Sequence, residues 1–148
     1  MALIKTSVKS ERGAELIEFA VVLPILVFII AGLVDFGMMF RTYEAVTNAA
    51  REGARVGVLP GYAAVDVENR VDQYLTASGL SGTHTTAVVD VPVATTAGTF
   101  TARAVTLNYT YTFVVLGAAA PFFGGSFGSI NLNAVSVMRT ESQAAAAP

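Results

Sequence analysis

The hydrophobic positions divide the chain into one long apolar run near the N-terminus and a second part in which apolar and polar residues alternate. The run from Phe19 to Phe40 has 22 residues, among which Pro24 and the acid Asp35 stand out. A helix rises about 1.5 Å per residue, so the run covers roughly 33 Å, enough to cross a hydrocarbon core of about 30 Å. It is too long for a cleaved secretory signal, whose apolar core has about 7–15 residues. The pattern predicts one transmembrane helix.

After the span, the apolar residues first keep helical spacing and then change to a period of two. Val46, Ala50 and Ala54 continue the first helix to about Gly57, and their small size would let another helix approach closely. A second amphipathic helix is predicted over 63–77, and three strands are predicted after about Thr85. These elements predict an α+β fold: a long N-terminal helix, a second helix, and a small antiparallel sheet of about three strands covered by both helices.

Alternation in the three strands predicts one apolar face for the sheet. The second strand is the clearest, and Pro92 in the first strand favours an edge position. In the third strand the apolar phase changes after Leu132, which predicts a bulge near Ala134. The apolar positions are Val89, Val91 and Val93 in the first strand, Val105, Leu107, Tyr109, Tyr111 and Phe113 in the second, and Ile130, Leu132, Val135 and Val137 in the third.

Composition narrows the possible functions. Charged residues make up 14% of the chain, against roughly 25% in soluble domains, and the net charge is −2 with no basic patch, which argues against nucleic-acid binding. The absence of cysteine excludes disulfides and thiolate catalysis, and a single histidine, His84, excludes a multi-histidine metal site within one chain. No catalytic residues, metal site or cofactor are predicted, and the chain is not expected to be an enzyme.

Charge also predicts the orientation of the span. Lys5, Lys9 and Arg12 precede it against one acid, so the N-terminus is expected in the cytoplasm and the C-terminal part outside the inner membrane. Pro24 predicts a kink or an opened turn, because it removes one helical hydrogen bond. Asp35 has two interpretations: it reaches the interface or stays neutral, or it contacts a partner, as intramembrane acids usually face protein.

Residues 12–19, Arg-Gly-Ala-Glu-Leu-Ile-Glu-Phe, resemble the processing site of type IV pilin-like precursors. The resemblance implies that residues 1–13 form a cytoplasmic leader and that a prepilin peptidase cuts between Gly13 and Ala14. Glu18 then becomes the fifth residue of the mature chain and Phe19 the sixth. An α-amino group has a pKa of about 8, so Glu18 of one subunit is expected to pair with the new N-terminal cation of another during assembly. Such a pair sets axial register more than it adds stability.

The stretches 11–24, 33–37 and 47–55 are similar to TadE-like proteins of tight-adherence pilus systems, and parts of the C-terminal half are also similar. The resemblance implies a pilin-like fold and a minor pilin or pseudopilin, a structural and assembly component of a Flp-type pilus used in cell adhesion. Implied partners are the inner membrane, other pilins or pseudopilins, the prepilin peptidase and the pilus assembly platform. Phe19 departs from the Tyr that pilus subunits of these systems often carry.

The expected organisation is a leader at 1–13, a helix at 14–58 that leaves the membrane, an extracytoplasmic α+β domain at 59–141 and a disordered tail at 142–148. The protein would reside in the inner membrane as a single-pass chain and could enter a surface pilus. Two alternatives stay open: the main repeating subunit of a filament, or an anchored binding module that never polymerises. In the connection before the third strand, Phe122, Phe123 and Phe127 either tuck under the sheet or form a docking loop.

Overall fold

The computed structural model describes residues 7–96, 98–119, 121 and 128–140. The predicted α+β architecture is confirmed: a long helix, a second helix and a three-stranded antiparallel sheet, with one additional short helix. The elements are α1 (Ser7–Gly57), α2 (Ala64–Ala77), β1 (His84–Thr95), β2 (Gly98–Thr112), α3 (Val115–Ala119) and β3 (Ser129–Arg139).

Helix α1 is continuous, and its two halves lie in different surroundings. Residues 14–30 are exposed along their whole length, whereas Val46, Ala49 and Ala54 are completely buried against the rest of the chain. Within the described residues, α1 is the one helix long and apolar enough to cross a membrane, with a mean hydropathy of 2.8 over its most apolar stretch. A single N-terminal helix of this kind fits a single-pass membrane protein.

The sheet has the order β1-β2-β3, with both pairs antiparallel. Pro92 therefore lies on an edge strand, as its missing N–H predicted. The core forms between the inner face of β2, the C-terminal half of α1 and the apolar stripe of α2. This half of α1, residues 31–57, is called its upper half below. The completely or almost completely buried members of the core are Val46, Ala49, Ala50, Ala54, Val67, Val71, Leu75, Val105 and Leu107.

The bulge predicted near Ala134 is wrong. Pairing of β2 with β3 keeps one register throughout, from Ala102 opposite Arg139 to Thr112 opposite Ser129. Regular alternation places Ala134 inward, at 5% exposure, and turns Val135 outward, at 59%. The change of hydropathy phase reflects apolar residues on both faces of the strand rather than an extra residue.

The single apolar face predicted for the sheet is wrong for the same reason. Val89 and Val91 of β1 are 56% and 37% exposed, and they share the outer face with Val135 and Val137 of β3. Only β2 has the simple pattern, with Val105, Leu107, Tyr109 and Tyr111 buried toward the helices.

The small residues of α1 accommodate α2 of the same chain. A Cβ atom built at Gly53 would lie 2.6 Å from Cγ2 of Val71 and 3.3 Å from Cγ1 of Val67. These distances are too short for a methyl group, so the bare backbone of α1 is what allows α2 to pack at this separation. The close helix approach suggested by the sequence therefore occurs within the chain.

Candidate functional site

The residues predicted for processing and assembly lie together on the exposed N-terminal half of α1. Ala14 and Glu18 are four residues apart on a continuous helix, hence about 6 Å apart along its axis and on the same face. Glu18 is exposed and forms no ion pair with another described residue, and Phe19 is 60% exposed. A Cβ atom at Gly13 would meet nothing within 4 Å. This segment is therefore open to contact from outside the chain.

Helix α1 continues without a break through Pro24. The residues around Pro24 are exposed, among them Val21 at 63% and Ile25 at 59%. The kink predicted from this proline stays a prediction, and so does a contact between Pro24 and a partner.

Asp35 is the most unusual residue of the apolar run, because it is completely buried within the chain. Its Oδ2 accepts hydrogen bonds from the backbone N–H groups of Val115, at 2.9 Å, and Leu116, at 2.7 Å. These amides open α3, where N–H groups have no acceptor in the helix itself. The carboxylate of Asp35 on α1 thus caps a short helix of the C-terminal domain, and negative charge suits a helix N-terminus.

Aromatic side chains enclose this capping contact. The hydroxyl of Tyr111 donates to the backbone carbonyl of Asp35 at 3.4 Å, and burial, with the nearby Asp35 charge, raises the pKa of Tyr111. The ring of Phe113 packs edge-on against Phe36, with centroids 5.8 Å apart. Oδ1 of Asp35 is buried and has no hydrogen-bond partner among the described residues. The contact therefore joins the end of β2 and the start of α3 to one level of α1.

The sequence alone did not predict this contact. Its two interpretations of Asp35 were an interfacial or neutral acid and a contact with a partner, and neither included the chain's own domain. The partners Val115 and Leu116 are apolar residues that contribute only their backbone, so no side-chain pattern marked them. The one available signal was the rule that an acid within a span faces protein. Whether Asp35 also contacts a partner stays a prediction.

Ion pairs join α2 to the upper half of α1. Glu52 of α1 accepts from Arg55 at 2.9 Å and from Arg70 of α2 at 2.8 Å. The hydrogen bonds from Arg55 and then from Arg70 lower the pKa of Glu52 from 4.5 to about 2. The cross-helix bond to Arg70 fixes the side-by-side position of the two helices.

A second set of polar contacts fastens the sheet to the helices. Arg103 of β2 donates to Asp90 of β1 at 2.8 Å and to the carbonyl of Gly57, the last residue of α1, at 2.8 Å. His84 of β1 lies 2.8 Å from Asp72 of α2, and this hydrogen bond raises the pKa of His84. The first contact joins the sheet to the end of α1, and the second joins it to α2.

Three sequence predictions fall outside the described residues. Phe122, Phe123 and Phe127 of the suggested docking loop belong to this group, together with residues 1–6 of the leader and the tail at 142–148. Those predictions stay as they are.

The comparisons with known proteins concern the same helix. The family model described as TadE-like protein matches residues 13–55, a segment that contains Gly13, Glu18 and Asp35 and ends near the upper end of α1. No curated protein and no solved structure shows a significant match. Residues 13–55 are therefore similar to TadE-like proteins, which confirms the resemblance drawn from the sequence for this segment.

Proposed function

We propose that the chain is a minor pilin or pseudopilin of a tight-adherence pilus, inserted in the inner membrane as a prepilin and cut between Gly13 and Ala14. The TadE-like match supports a pilus-associated, minor pilin-like role, and TadE-like proteins are structural components rather than enzymes. The observation that carries the finer proposal is the exposed half of α1, which bears the cleavage residues, Glu18 and a membrane-spanning length of apolar surface on one continuous helix.

The division of α1 into two halves supports an assembly role. Its upper half is packed against the domain, whereas residues 14–30 are exposed and carry mainly apolar side chains. In the membrane this surface faces lipid. In a filament the same surface faces the helices of other subunits, so the subunit exchanges lipid for protein without refolding its domain.

Glu18 is proposed to determine the register of that exchange. A carboxylate moved into a bundle of apolar helices is costly unless a cation accompanies it. Cleavage after Gly13 supplies such a cation, the new α-amino group of Ala14, at the same end of the helix. Pairing between Glu18 of one subunit and the amine of another therefore favours one axial offset. Phe19 beside it retains an apolar surface for packing.

The proposed orientation places the leader in the cytoplasm, where the peptidase and the assembly platform would act on residues 1–18, and the domain outside. The other proposed partners are pilins or pseudopilins that share the apolar helix. The fraction of this chain in sheared filaments separates a minor from a main subunit, because a minor subunit is scarce in that material.

The test compares two acids that lie one turn apart on the exposed half of α1. Glu18→Gln removes the charge at the fifth position of the mature chain, and Glu15→Gln is the matched control, since Glu15 is also exposed. We expect Glu18→Gln to reduce the number of surface pili severalfold while both variants reach the membrane in wild-type amounts. Equal piliation in Glu18→Gln and wild-type cells would overturn the proposed role of this residue.

A further inference from the structure

The C-terminal domain meets α1 lower than the end of its apolar run. Asp35 binds the first amides of α3, and Leu116 reaches Gly32, where an added Cβ would lie 4.0 Å from its Cδ2. Phe40, the last residue of the apolar run, lies five residues beyond Asp35 along the helix, which corresponds to about 7.5 Å. The start of α3 therefore lies level with residues inside the span.

The charged Glu18 and the exposed aromatic residues near Asp35 restrict where the bilayer can lie along α1. A hydrocarbon core of about 30 Å takes about 20 helical residues, so a core beginning after Glu18 ends near Met38. Shifting the helix outward far enough to free α3 would draw the exposed acid Glu18 into the core and move Phe36 and Phe40, which are 47% and 61% exposed, into water. Both changes are unfavourable, so the level of Asp35 stays within the bilayer.

The part of the domain at this level has an apolar surface suited to lipid. Val114 is 65% exposed and Val115 is 39% exposed, and on α1 near this level Leu33 is 69% exposed. The backbone N–H groups of Val115 and Leu116, which lipid could not satisfy, are already bonded to Asp35. An apolar surface with satisfied amides, continuous with a membrane span, meets the conditions for contact with acyl chains.

We propose that the domain itself enters the bilayer, with Val114, Val115 and Leu116 resting among the lipids of the leaflet on the domain's side. The occupant of this surface is lipid rather than another protein. Asp35 is then a positioning residue: buried away from lipid, it holds α3 at this depth and fixes the angle between the domain and the membrane. The inference rests on the proposed membrane insertion of α1, and it adds a second, shallower membrane contact.

The chain has no cysteine, so single cysteines can be labelled without removing native ones. The full chain is reconstituted in phosphatidylcholine and phosphatidylglycerol vesicles with a nitroxide at one position at a time. Collision of the nitroxide with oxygen and with a water-soluble nickel chelate reports its depth. Val114→Cys tests the inference, and Leu33→Cys, two residues before Asp35 on α1, is the lipid-facing reference. Ile25→Cys reports the middle of the span.

The matched water control is Val135→Cys, since Val135 has a similar exposure of 59% on the outer face of the sheet. It pairs with Thr106, six residues before the end of β2 and thus about 20 Å farther along the strand. We expect the label at Val114 to be at least fivefold less accessible to the nickel chelate than the label at Val135, and close to the label at Leu33.

Three results would overturn the inference. Equal chelate access at Val114 and Val135, with Ile25 deep in lipid, means that the domain stays above the membrane while the span itself stands. Protection of Val114 that disappears when the protein is diluted in lipid means that a second copy, not lipid, covers the surface. A water-exposed label at Ile25 removes the span, and with it the proposed membrane insertion.

Discussion

Removing the carboxylate of Asp35 should release α3 from α1 while leaving the rest of the fold in place. In Asp35→Ala the amides of Val115 and Leu116 lose the oxygen that accepts both of them, at 2.9 and 2.7 Å. Hydrogen bonds to charged groups contribute about 1.5–3 kcal/mol each, and burying the charge offsets part of this gain. The expected net loss for opening α3 is therefore about 3 kcal/mol.

The matched variant Asp35→Asn keeps an acceptor oxygen for the two amides and lowers the cost of burying a charge. Its hydrogen bonds are weaker because the acceptor is neutral. We expect a loss of about 1 kcal/mol or less, so the two variants should differ clearly. A second control is Glu44→Ala, since Glu44 is an exposed acid of the same helix and has no such contact among the described residues.

Amide hydrogen exchange of the full chain in lipid nanodiscs measures this loss directly. A change of about 3 kcal/mol corresponds to roughly 100-fold faster exchange of the Val115 and Leu116 amides. Exchange in β2 should stay close to the wild-type rate, because its hydrogen bond to Asp35, from Tyr111, goes to the backbone carbonyl, which the substitution keeps. If Asp35→Ala exchanges these two amides at the wild-type rate, the carboxylate does not hold α3 and the reasoning is wrong.

Three further predictions concern contacts that hold the helices and the sheet together. Gly53→Ala should lower the free energy of unfolding by about 1–3 kcal/mol, and with it the thermal midpoint, because the added methyl group meets a branched side chain of α2. The control Gly37→Ala should leave the midpoint unchanged, because no atom lies within 4 Å of the added methyl group. The pKa of Glu52 is lowered in the folded chain, so its carboxylate stabilises the fold fully above pH 4.5, and this stabilisation is lost as the pH falls toward 2. Wild type should therefore be about 1 kcal/mol more stable than Glu52→Gln at neutral pH, after solvent screening. Urea titrations should find this difference gone at pH 2. The pKa of His84 is raised in the folded chain, so its contact with Asp72 stabilises the fold fully below pH 6.5, and this stabilisation is lost at higher pH. The thermal midpoint should therefore fall slightly between pH 6 and 8, and Asp72→Asn should abolish that fall. An unchanged slope in Asp72→Asn would contradict this role for His84.

The sequence predicts the long helices and β2 well, because each has one dominant period. Helix α1 has a long apolar run. In β2, apolar residues that face the helices alternate with polar residues on the outer face of the sheet. Hydropathy fails for β1 and β3, where valines occupy both faces of a strand, so the phase alone gives the wrong register near Ala134.

The contact between Asp35 and α3 lies beyond local patterns for a different reason. Its two sides are 80 residues apart in the chain, and one side is backbone only. Glu18 and Gly13 differ again: the sequence marks them through a family resemblance, and the folded chain leaves them exposed. The proposed function has both residues act between molecules, so it requires no partner for them within one chain.

On the proposed function, α1 becomes the assembly helix once its leader has been removed. The intact mass of the chain, purified from cells with and without their prepilin peptidase, tests this step. We expect a chain that begins at Ala14 in cells with the peptidase and at Met1 in cells without it. A chain that keeps Met1 in both would contradict processing after Gly13 and favour an anchored protein that never joins a filament.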